Sequence, residues 1–97
     1  MAPAQTITLN VSYELPDETW RSIAGVYQQM AGWRGYKDGI PYWFGNDGDA
    51  QFLWASVEPS GLLISGNLDN DRWESWMSDL LARLTGVLGI EVHDAGA

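Results

Sequence analysis

The sequence predicts an α+β domain in which two amphipathic helices cover one face of an antiparallel sheet, the elements running β-α-β-β-β-α-β. Three observations carry this. Two segments repeat apolar residues every three or four positions, which is helical spacing. Shorter segments between and beside them alternate apolar and polar residues, or run apolar, over strand lengths. The central ones are joined by tight turn sequences, too short for crossover helices, so neighbours pair antiparallel. A chain of 97 residues, 45% of them hydrophobic and 19% charged, is one domain with one core over 1–97. Residues 1–5 and 94–97 are expected to fray.

Thr6 to Tyr13 alternates: Ile7, Leu9, Val11 and Tyr13 on one side, Thr6, Thr8, Asn10 and Ser12 on the other, a half-buried strand. Leu15-Pro16-Asp17-Glu18-Thr19 opens the first helix, where proline is tolerated and carboxylates suit the positive end of the dipole. Its stripe is Trp20, Ile23, Ala24, Tyr27, Met30 and Ala31, and Gly32 stops it. Gly32 to Gly39, with three glycines in eight residues, reads as a loop. Ile40–Phe44, Gln51–Val57 and Leu62–Leu68 then form a three-stranded meander, Pro41 marking an edge or a strand start. Gly45-Asn46-Asp47-Gly48-Asp49 and Glu58-Pro59-Ser60-Gly61 are its turns. Asp69 caps the second helix, whose stripe is Trp73, Trp76, Met77, Leu80, Leu81, Leu84 and Leu88, and Gly89 ends it. Ile90 to His93 alternates as a last short strand.

The composition excludes several chemistries. Without cysteine there is no disulfide framework, thiolate metal site, iron–sulfur cluster or cysteine nucleophile. Thirteen acidic residues against five basic ones give a net charge of -8, which repels phosphate backbones and anionic membranes and steers basic partners inward. No stretch reaches the ~20 apolar residues that span a bilayer. The first residues carry neither a basic run nor an apolar core, so a soluble cytoplasmic protein is expected.

Catalytic motifs are absent as well. Neither phosphate-loop pattern occurs, and no serine sits in GxSxG. Asn46-Asp47-Gly48-Asp49 lacks the further oxygen ligands and distal glutamate of a calcium loop, and hairpin geometry explains it. His93, the one histidine, has only Glu91 and Asp94 near it in sequence and reads as a surface residue. No catalytic residue, metal or cofactor is expected.

What remains is aromatic. Six tryptophans exceed what the two helical stripes absorb. The strand Gln51–Val57 is apolar on both faces, Leu53, Ala55 and Val57 on one and Phe52 and Trp54 on the other, yet helices cover only one. Trp43, with its neighbours Tyr42 and Phe44, raises the same question. The Gly32–Gly39 segment adds Trp33, Arg34 and Tyr36, residue types enriched at interface hot spots. The candidate binding residues are therefore Trp33, Arg34, Tyr36, Tyr42, Trp43, Phe52 and Trp54. The first reading is an acidic module that binds a basic protein, in the manner of an inhibitor of a nuclease or other toxin. A homodimer closed through the aromatic sheet face is the second. The third is a small-molecule binder with a pocket lined by Trp33, Tyr36, Trp43 and Trp54.

Overall fold

The computed structural model describes residues 4–96. The elements are β1 (Gln5–Leu9), α1 (Asp17–Gln29), β2 (Trp33–Lys37), β3 (Ile40–Trp43), β4 (Phe52–Glu58), β5 (Gly61–Asn67) and α2 (Asn70–Leu88). The α+β class and the antiparallel sheet stand as expected. The order is β-α-β-β-β-β-α, one strand more in the middle and one fewer at the end. All five strands form one sheet in the order β1-β5-β4-β3-β2, every pair antiparallel. Helix α1 thus carries the chain from one edge of the sheet to the other, and β2 to β5 return as a meander.

The extra strand lies where a loop was expected. Asp38 (φ 54°) and Gly39 (φ 79°) both take positive φ, the requirement of a two-residue hairpin turn, and Lys37 pairs with Ile40 across it. The register slips between Trp33 and Gly35, a bulge that the left-handed Gly35 (φ 95°) accommodates. The glycines that suggested a loop are the bulge and the turn of a hairpin.

Both ends of the expected strand set also change. Strand β1 stops at Leu9, because the Val11 N–H turns back to the Leu9 carbonyl (2.8 Å). Ile90 to His93 forms no strand. It lies beside β1, makes a single bridge from Asp94 to Leu9, and is held by backbone bonds from Asn10 to His93 and from Ala95 to Thr8. The Asn10 side chain clamps it further: Oδ1 accepts the His93 N–H (2.7 Å) and Nδ2 donates to the Glu91 carbonyl (3.0 Å). Gln5 and Asp94, in the ends expected to fray, each pair with a strand residue here. Gln5 pairs with Gly66, and its side-chain amide both donates to the Leu68 carbonyl and accepts the Leu68 N–H. Positions 1–3 and 97 of the expected frayed ends lie outside the described residues.

Cross-strand partners share a face, so the ladders sort the paired strand residues. Gln5, Gly66, Leu53, Trp43 and Trp33 form one row; Ile7, Ile64 and Ala55 form the next; Leu9, Leu62 and Val57 form a third. Most of these side chains belong to one buried cluster with Ile23, Val26, Tyr27 and Met30 at the α1 side and Trp76, Met77, Leu80 and Leu84 of α2. Trp43 sits at its centre, fully buried. The indole donates to the Tyr27 carbonyl (3.0 Å) and meets the Tyr27 and Trp76 rings edge-on at 5.3 and 5.0 Å. Trp76 in turn donates to the Ala31 carbonyl (3.0 Å). Two core tryptophans thus satisfy carbonyls where α1 ends. Helix α2 is capped as its sequence indicates: the Asp69 carboxylate accepts the Arg72 N–H (2.9 Å), and Gly89 (φ 71°) ends it in the left-handed conformation.

Candidate functional site

The opposite parity gives the other face of the sheet. Thr6, Ser65, Trp54, Tyr42 and Gly35 make one row across all five strands; Thr8, Leu63 and Ser56 make the next; Phe52 and Asn67 pair at the end. None of these apolar side chains joins the core cluster, and neither helix lies over them. Tyr42 and Trp54 stand directly opposite each other on β3 and β4 and are both half-buried. Leu63 on β5 is also half-buried. Thr6, Thr8 and Ser65 continue this parity toward β1, but Ser65 is buried and its hydroxyl donates to the Gln5 carbonyl (3.2 Å).

Phe52 and Trp54 share this face but not its exposure. Phe52 is 5% exposed. The Gly45–Gln51 loop passes beside it, and Asp47, Gly48, Asp49 and Ala50 line a depression of about 570 Å³ together with Phe52 and Asn67. The loop is tied by its own turn: the Asp49 carboxylate accepts the Asn46 N–H (2.7 Å), and the Asp49 N–H returns to the Asn46 carbonyl (3.0 Å). Asp49 is therefore occupied as a turn residue.

The turns that bound the face are acidic. Asp38 lies in the β2–β3 turn, Asp47 and Asp49 in the β3–β4 loop, and Glu58 at the β4–β5 turn, where it accepts from the Ser56 hydroxyl (2.5 Å). Of the five basic residues, Arg34 and Lys37 lie on β2, while Arg21, Arg72 and Arg83 ride on the helices. Arg83 pairs with Asp79 (3.0 Å) there, and the Arg72 guanidinium lies 5.2 Å over the Phe44 ring. The field reaches Tyr42. Its hydroxyl is raised above the ordinary value of 10.0, by partial burial first and then by the Asp47 and Asp38 carboxylates.

The seven candidate residues therefore part company. Tyr42 and Trp54 come together on the open face. Trp43 is a correction: one position along β3 from Tyr42, it points to the helices and has no accessible surface. Phe52 is a second correction, buried beside the loop. Trp33 and Tyr36 lie on the helix-side parity of edge strand β2, their rings 5.3 Å apart and edge-on. Tyr36 is 51% exposed and Arg34 is exposed beside it. A single pocket lined by Trp33, Tyr36, Trp43 and Trp54 does not form, because Trp54 faces away from the other three. Leu63 belongs to the open face, and Asp38 and Asp47 to the turns that bound it, without having been singled out as binding residues in sequence. The alternation of Leu62, Leu63 and Ile64, with Leu63 the odd member, was the available signal.

Among the described residues no group of three or more histidines and carboxylates is arranged to hold a metal ion, and no helix is long and apolar enough to cross a membrane. Among the described residues the chain is thus an α+β domain whose two helices share a core with one face of the sheet and not with the other. Comparison with protein-family models, curated proteins and solved structures found no match.

Proposed function

We propose that this chain is a cytoplasmic protein-binding module that engages a basic protein through the open sheet face, acting as an inhibitor or regulator of that partner. One observation carries the reading: Tyr42 and Trp54 stand side by side on a sheet face that no helix covers, bordered by Asp38, Asp47, Asp49 and Glu58. Tyrosine and tryptophan supply contact area at low entropic cost and dominate interface energetics. The carboxylates supply steering and stand where a basic partner would otherwise hold phosphate. A partner arginine or lysine laid on the Tyr42 ring would meet the Asp47 and Asp38 carboxylates at once.

The test is capture on the immobilised chain from a lysate of its source, repeated with Trp54→Ala, Tyr42→Ala and Asp47→Asn, followed by titration of the purified captured protein. The expected partner is basic. Its association rate falls steeply with salt, and Trp54→Ala weakens it roughly thirtyfold or more. A captured protein indifferent to all three substitutions would overturn the reading. A stable dimer of the chain alone, broken by Trp54→Ala, would also overturn it and assign the face to a second copy.

A further inference from the structure

The two edges of the sheet are treated differently. At β1 the chain closes the edge itself, laying the segment Glu91–Asp94 beside Leu9 and Asn10. At β2 no segment of the described chain pairs outward. Antiparallel pairing alternates, so residues that do not exchange bonds with β3 turn their backbone groups away from it. The Phe44 N–H donates to the Gly32 carbonyl (2.7 Å), which makes Trp33 and Trp43 such a pair. Tyr36 faces Pro41, which has no N–H to give. Trp33 and Tyr36 therefore present their N–H and C=O groups outward along the free edge.

The side chains around that edge are also sorted. On the helix side stand Trp33 and Tyr36, and Tyr36 borders an apolar groove of about 410 Å³ whose walls include Trp20, Ala24, Pro41 and Val57. On the other parity stand Gly35 and Lys37. Arg34 is the additional residue of the bulge. Two of the five basic residues of a chain of net charge -8 thus fall within one five-residue edge strand.

We infer that the β2 edge receives an extended segment of a partner protein whose side chains alternate between aliphatic and acidic. Backbone bonds to Trp33 and Tyr36 supply the strand addition. The aliphatic side chains fall on the helix side, against Tyr36 and the groove. The acidic ones fall on the side of Lys37 and within reach of Arg34, as opposite charges do across a ladder. A second copy fits less well, since β2 against β2 brings Arg34 and Lys37 of both chains together and joins two molecules of like net charge. The inference uses other residues than the open-face reading and stands or falls apart from it.

The probes are two short blocked peptides, one alternating valine with glutamate and one alternating valine with lysine. They are added to the ¹⁵N-labelled full chain up to roughly 2 mM. The glutamate peptide is expected to shift the amides of Trp33 to Lys37, more strongly at low salt, and the lysine peptide to leave those amides unmoved wherever else it binds. Arg34→Glu combined with Lys37→Glu is expected to weaken the glutamate peptide at least tenfold. Tyr36→Pro, which deletes an N–H that faces outward and so spares the β2–β3 hairpin, is expected to weaken it too. If a variant fails to fold, the comparison of the two peptides on the unaltered chain still decides. No shift in β2 with the glutamate peptide, or equal shifts there with both peptides, overturns the inference and makes Arg34, Lys37 and the bulge guards against edge pairing.

Discussion

Trp43→Phe separates the structural tryptophans from the presented ones. Trp43 is fully buried, and its indole N–H is one of two donors to the Tyr27 carbonyl, the other being the Met30 N–H at 3.3 Å. Phenylalanine is smaller by about 40 Å³, which at about 24 cal/mol per Å³ of unfilled space costs ~1 kcal/mol. Losing the indole donor costs ~1 kcal/mol more, at the modest end because Met30 still serves the carbonyl. The sum, about 2 kcal/mol, lowers the melting temperature of a domain this size by roughly 8–16 °C. Urea unfolding followed by far-ultraviolet circular dichroism measures it, with an unchanged m-value showing that the native fold is retained. Trp54→Phe, at a half-exposed position, is expected to cost under about 1 kcal/mol. Equal losses for the two substitutions, or a loss below about 0.5 kcal/mol for Trp43→Phe, would refute the assignment of Trp43 to the core and Trp54 to the surface.

Gly32→Ala is expected to cost about 2–3 kcal/mol in the same assay, since Gly32 has φ 83° and a Cβ there would sit 2.6 Å from the Phe44 ring. Gly86→Ala, in the last turn of α2 with open space around it, is expected to stabilise by about 0.5 kcal/mol. Asn10→Ala removes the side-chain bonds to the Glu91 carbonyl and the His93 N–H, with the longer contact to the His93 ring, and is expected to cost about 1–2 kcal/mol and to speed hydrogen exchange at His93 and Ala95. The Tyr27 hydroxyl is raised well above its ordinary value of 10.0, by burial first and then by Tyr36. The unfolded chain therefore releases this proton before the folded one does. The associated stability is complete below pH 10 and declines as pH rises above it toward the folded value. Tyr27→Phe should flatten that alkaline decline, seen as a smaller drop in urea midpoint on passing pH 10.

Most of the scaffold was legible because it rests on local rules. The Asp69 cap, the Gly89 stop and the two apolar stripes need only neighbours in sequence. The β2–β3 hairpin was equally local, since Asp38-Gly39 is a favoured two-residue turn between aromatic strands, but Gly35 masked it by putting a bulge where an unbroken alternation was sought. The last strand failed for the opposite reason. Ile90 to His93 alternates well enough, yet Asn10 supplies side-chain bonds in place of part of the ladder. The candidate face was legible only as a surplus. That β4 is apolar on both sides showed that one side stays uncovered. Which of Tyr42 and Trp43 would be presented depends on a one-residue register that interleaved aromatics do not fix. Phe52 differs from Trp54 through the path of the Gly45–Gln51 loop, a tertiary matter with no periodic signal.

The pairing of β1 with β5 bears on the order in which the molecule assembles. Gln5 meets Gly66 across about two thirds of the chain, whereas β2 to β5 are joined by consecutive turns. Closing the large loop is the entropically expensive step, and little rewards it until β5 already stands in the meander. The hairpins are thus expected to form early, with β1 arriving last against a ready template. The Asn10 clamp on Glu91 and His93 then engages only once β1 is home, so it acts as a latch on the final strand. In the native protein the same hierarchy is expected to run backward, so that amides of β1 and of the segment beside it exchange with solvent before those of the meander.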